Sequence, residues 1–140
     1  MQLTAADFRA KREALGLSQG DVARAASVKT LTVKRWEAEN NPIPEDVWDW
    51  LLMVEQNALD AVNAAVDSIT QSGIVGDVCL TYYRTQLEYD AFGRDDGPFG
   101  LANANSRAVA RALEAKGYTC RFCYPGESEE IQKAKEATRQ

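Results

Sequence analysis

At 140 residues, with 45% hydrophobic and 26% charged side chains, the chain has an ordinary globular composition and room for one domain or two small ones sharing a core. No apolar run reaches the ~18 residues that suggest a membrane span, and residues 1–11 lack the apolar stretch of a secretion signal, so a cytoplasmic protein with no membrane partner is expected. The formal charge is −5 with no histidine, a poor balance for a nucleic-acid binder and a poor inventory for an enzyme.

Divided along the chain, that charge changes meaning. Residues 1–41 hold seven basic and five acidic side chains, a net of +2, whereas residues 42–76 hold six acids and no base. The remainder, 77–140, holds nine bases and ten acids. Phosphate attraction is decided locally, because fields are screened beyond ~8 Å at physiological salt. The acidic middle discourages contact with nucleic acid elsewhere.

Thr4 and Asp7 form a capping pair that opens a first helix with Phe8, Arg12 and Leu15 on one side, and Gly16 suits a left-handed stop. Ser18 and Asp21 repeat the capping logic for a second helix buried through Val22, Ala23 and Ala26. A third helix, about Thr30 to Glu37, buries Val33 and Trp36 around the polar Lys34 and Arg35, and Asn40-Asn41-Pro42 breaks it. Pro44 then starts a long acidic helix that runs to Ser72 before Gly73. Its later stripe of Leu59, Val62, Val66 and Ile69 is narrow, a pattern suited to packing against a partner helix.

Val78 to Arg84 alternates and reads as a strand; Thr85 with Glu88 caps a short helix containing Leu87. Residues 93–100, with three glycines and a proline, read as a loop. Asn103 or Asn105 is the expected cap of a helix through Val109, Ala112 and Leu113 that stops at Gly117. Tyr118 to Tyr124 is a second strand, and the charged segment from Glu127 reads as a flexible polar tail. The expected fold is mainly α with a small α+β C-terminal part. Residues 1–72 would form a four- to five-helix helix-turn-helix domain with its long connecting helix. Residues 73–126 would form a strand-helix-strand dimerisation domain, and 127–140 the tail.

Leu17-Ser18-Gln19-Gly20-Asp21-Val22-Ala23, then Val28, Val33-Lys34-Arg35-Trp36-Glu37 and Pro42, resembles the Cro/C1-type (XRE) helix-turn-helix regulators. Thirteen residues separate Ala23 from Trp36, the spacing of that pattern. Ser27 and Glu39 depart from it, standing where glycine is common. The resemblance implies that the third helix enters the DNA major groove and carries base-reading roles onto Thr30, Leu31, Lys34 and Arg35. Their chemistry agrees, since Arg35 can donate two hydrogen bonds to a guanine and Leu31 can meet a thymine methyl. Gln19 matches a phosphate-bonding position, and Lys29, Asn40 and Asn41 are further phosphate candidates. Arg12 and Glu37 fall where the family often places a structural salt bridge.

The order of the C-terminal elements, with Pro44-Glu45-Asp46-Val47 and Leu80 to Tyr83, resembles a narrower group, the anti-CRISPR-associated phage regulators and related small bacterial proteins. That likeness implies a homodimer built by the C-terminal part, repressing its own operon, and adds Leu80 and Tyr82 to the candidate dimer interface. Double-stranded DNA is the expected partner. RNA, which the resemblance also brings in, and a partner protein bound by an antitoxin-like C-terminal half stay open.

Cys79, Cys120 and Cys123 are an odd set, and reduced thiols are the simplest reading. Cys120-x-x-Cys123 is a weak metal or redox signal, because a strand sends those two side chains to opposite faces. No metal, cofactor or catalytic residue is expected.

Overall fold

The structure, a computed structural model, describes residues 2–126; Met1 and residues 127–140, read above as a polar tail, lie outside the described residues. The first helix, α1 (Ala5–Ala14), opens on a capping box. The Thr4 hydroxyl accepts from the Asp7 N–H at 3.1 Å and the Asp7 carboxylate accepts from the Thr4 N–H at 2.8 Å, so two donors that a helix start leaves orphaned are satisfied. Those Thr4 donors hold the Asp7 carboxyl below its ordinary value. Ser18 and Asp21 build the same box for α2 (Gln19–Ala26) at 3.0 and 2.8 Å. By contrast α3 (Thr30–Glu37) starts at Lys29 with no side-chain cap.

Phe8, Leu15, Leu17, Val22, Ala23, Val33 and Trp36 are buried between these helices. The turn from α2 to α3 passes through Ser27 in the left-handed region, φ 57° and ψ 43°, and Glu39 beyond α3 has φ 65°. These are the two positions at which the sequence departs from glycine. The long helix α4 (Glu45–Gln71) follows Pro44. Its Trp48 meets Phe8 edge-on with ring centroids 5.1 Å apart, Leu51 is fully buried, and Glu55 accepts from Lys11 Nζ at 2.9 Å.

Two compact units result, Met1–Ala61 and Val62–Gln140, so the boundary falls inside α4 rather than after it at the expected 72/73. The reason lies in the narrow stripe. Val66 is buried with Val78, Val109 and Leu113, and Val62, Ile69 and Leu80 pack against that cluster. Four residues expected to meet a second chain therefore complete a core within this one, while Leu59 stays exposed. Among the described residues no helix is long and apolar enough to cross a membrane.

The second unit runs β1 (Asp77–Thr81), α5 (Gln86–Phe92), α6 (Phe99–Ala115) and β2 (Thr119–Cys123). The two strands pair in parallel, Asp77 opposite Thr119 through Thr81 opposite Cys123, as a helical crossover between them permits. Val78, Leu80 and Cys120 turn to the core; Cys79, Thr81, Arg121 and Cys123 take the opposite face.

β1 ends three residues short of the expected Arg84, because Asn103 takes over the ladder. The Asn103 side chain accepts from the Tyr83 N–H at 2.9 Å and donates to the Tyr83 carbonyl at 2.8 Å. Asn103 is thus buried inside a helix rather than capping one. α6 begins at Phe99, whose N–H donates to the Gln86 side-chain oxygen at 3.0 Å. The cysteines depart from the reduced reading too, since Cys79 and Cys123 are joined in a disulfide with Cα atoms 6.2 Å apart. Parallel register sets both on one face of adjacent strands. Cys120 remains a thiol on the core side, and burial pushes its pKa up.

Candidate functional site

Helical geometry fixes what α3 can present. With Val33 and Trp36 turned inward, Thr30, Leu31, Lys34 and Arg35 fall together on the opposite side. All four are exposed, Leu31 at 54%. Lys29, just before α3, and Asn40 and Asn41, just after it, are exposed as well. Among the described residues neither Lys34 nor Arg35 enters an ion pair. The first unit therefore carries a compact stripe of two cations, a hydroxyl and an aliphatic group, flanked by a third cation and two amides.

Behind that stripe lies a buried clamp. Arg12 Nε donates to Glu37 Oε2 at 2.6 Å and Arg12 Nη2 to Glu37 Oε1 at 2.9 Å, a two-pronged pair. Its remaining prong, Nη1, donates to the Leu17 carbonyl at 2.9 Å. Both side chains are nearly inaccessible, at 9% and 3%. A guanidinium satisfied in this fork geometry fixes orientation as well as distance. It ties the end of α3 to α1 and to the segment that opens α2.

Gln19, expected to bond a phosphate, also supports the clamp. Its Nε2 donates to Glu37 Oε1 at 3.2 Å, so the amide is a third member of the clamp and keeps one N–H and its oxygen for anything else. Of the residues expected at a subunit interface, Leu59 is exposed and Tyr82 half-buried. Tyr82 stacks edge-on with Phe122 at 5.4 Å and accepts from Arg107 Nη1 at 2.5 Å. Two features had no sequence signal. Arg24 on α2 is 78% exposed and paired with Asp21, outside the motif's assigned positions. The Cys79–Cys123 bond needs the strand register, which spacing alone does not supply.

These features define a mainly α protein with a small α+β part, whose three N-terminal helices, tied by the buried clamp, offer one basic helix face outward. The chain belongs to the Aca2/YdiL-like family, whose model matches residues 3–113. That membership is consistent with the anti-CRISPR-associated regulators. The match takes in α1 to α5 and most of α6 and stops before β2. No curated protein matches the chain.

Proposed function

We propose that the protein is a dimeric, sequence-specific DNA-binding transcriptional regulator that represses its own operon from an inverted-repeat operator. The observation that carries this reading is the exposed stripe of Thr30, Leu31, Lys34 and Arg35 on a helix held from behind by the buried Arg12–Glu37 pair. A helix that must dock into a groove needs an outward face free to touch base edges and a rigid mount. Arg35 and Lys34 donate to guanine edges, Leu31 packs on thymine methyls, and Lys29, Asn40 and Asn41 bond phosphates. Family membership supports a regulator. Two-fold symmetry of the dimer sets half-sites about one DNA turn, ~10 bp, apart. The activity is binding in the cytoplasm, without catalysis and without a cofactor.

The test is fluorescence anisotropy of the full chain on the duplex upstream of its own gene, across a salt series, with a scrambled duplex and Arg35→Ala alongside. Affinity for the native duplex should fall steeply with salt as phosphate counterions are released. Arg35→Ala should weaken binding by ~1–3 kcal/mol per base contact and narrow the preference over scrambled DNA. Equal, weak binding to both duplexes at every salt concentration would overturn sequence-specific reading there.

A further inference from the structure

The Cys79–Cys123 bond sits unevenly in its surroundings. Cys123 is 4% exposed at the end of β2, whereas Cys79 lies open to solvent on the outer face of β1. The bond closes a sequence separation of 44 residues that takes in α5 and α6, almost the whole crossover of the second unit. The third thiol, Cys120, faces the core and directs its Sγ to the Ala110 carbonyl at 3.8 Å. It stands apart from the bonded pair by strand parity. From this geometry we infer that Cys79 and Cys123 form a reversible thiol–disulfide exchange site, which takes small-molecule disulfides at Cys79 and locks the second unit when oxidised.

The chemistry is a two-step exchange. The exposed Cys79 thiolate attacks one sulfur of a glutathione-class disulfide, forming a mixed disulfide and releasing one glutathione thiolate. The Cys123 thiolate then attacks the Cys79 sulfur, closing the protein bond and releasing the second glutathione thiolate. The two protons lost by the cysteines end on the two glutathione thiols. Two protein thiols are oxidised and one small disulfide is reduced. In the reverse direction glutathione enters at the sulfur of Cys79, the exposed residue of the pair. A bond with one open sulfur exchanges with the thiol pool, whereas a bond buried at both ends is shielded from it. In a reducing compartment disulfides of this kind are transient and redox-sensing. The inference is independent of what α3 binds.

The test equilibrates the full-length protein in buffers of varied reduced-to-oxidised glutathione ratio, traps thiols by alkylation, and reads each cysteine by peptide mass spectrometry. A thermal melt of each sample runs in parallel. Oxidising buffer should yield the Cys79–Cys123 pair with Cys120 alkylated, and reducing buffer should return both thiols without unfolding. The melting temperature should fall by roughly 10 °C on reduction, since closing a loop of this length constrains the unfolded chain. Cys120→Ser should behave as the parent, and Cys79→Ser should melt at the reduced value in both buffers. A bond that persists in reduced glutathione on the folded protein would overturn the exchange site in favour of a fixed disulfide. Cysteines that stay reduced, or stop at the mixed disulfide, in oxidised glutathione would overturn it equally.

Discussion

Ser27 and Glu39 hold left-handed backbone at φ 57° and 65°, a conformation that costs a residue with a Cβ roughly 1–2 kcal/mol. Part of that is returned by the greater stiffness of a non-glycine unfolded chain. Ser27→Gly should therefore raise the unfolding free energy by about 0.5–1 kcal/mol, read as a higher urea midpoint at unchanged slope. The clamp predicts the opposite sign. Glu37→Ala leaves the Arg12 guanidinium buried without its carboxylate and should cost about 3–5 kcal/mol. Lys11→Ala breaks a half-exposed pair with Glu55 and should cost no more than about 1 kcal/mol. If chemical denaturation ranked the two equally, the buried pair would not be the brace described. Both glycine-type positions and both clamp partners were legible in the sequence, because a motif of fixed spacing specifies backbone conformation and side-chain pairing residue by residue.

Among the elements, α1 and α2 were legible because their start signals are local, Thr4 with Asp7 and Ser18 with Asp21 each closing a box within four residues, and α3 because Val33 and Trp36 lie one helical turn apart. α6 was not. Its first N–H bonds to Gln86, 13 residues earlier, and no window on the sequence joins those two. Asn103 misled for the same reason, since its partner is the Tyr83 backbone, 20 residues away. Asn103→Ala should remove two hydrogen bonds from buried groups, for a loss of about 2–4 kcal/mol, together with faster amide exchange at Tyr83. The α5–α6 connection adds a pH signature. Tyr89 is buried and donates to Asp95 at 2.6 Å, and burial followed by that bond raises its pKa. A raised pKa gives stabilisation that is fully present below the ordinary tyrosine value of 10.0 and lost as pH climbs from there toward the raised value. Tyr89→Phe should flatten that alkaline decline in a pH series of thermal melts. Gly93 follows from the same ring, because a Cβ there would lie 2.4 Å from a Tyr89 carbon, which makes the glycine a requirement of packing.

For the whole molecule, the division of charge was readable, while the division of mass was not. A narrow apolar stripe on a helix signals that something covers it, but not whether the cover comes from the same chain. Here Val62, Val66 and Ile69 are covered by β1 and α6 residues of their own unit. Val66→Ala should therefore lower stability by about 1–3 kcal/mol and leave the sedimentation coefficient of the folded protein unchanged. Leu59→Asp, at a position 53% exposed, should do the reverse if that side of α4 joins the dimer: little change in stability, and a shift toward monomer on dilution. A Val66→Ala protein that dissociates while still fully folded would return the stripe to the interface.

The missing cap at the start of α3 reaches furthest. α1 and α2 begin with side chains that accept from the third helical amide, Asp7 and Asp21, while those aspartates hold the cap N–H in return; at α3 the Thr32 N–H reaches the Lys29 carbonyl at 2.9 Å and no side chain caps. The Lys29 N–H, whose counterparts at Thr4 and Ser18 are bonded, is left with the leading amides of α3 to solvent until something else reaches them. In deuterated buffer the Lys29 amide should exchange sooner than the Thr4 and Ser18 amides, which the Asp7 and Asp21 carboxylates hold, so the helix offered to a partner is the one of the three whose start has no side-chain box.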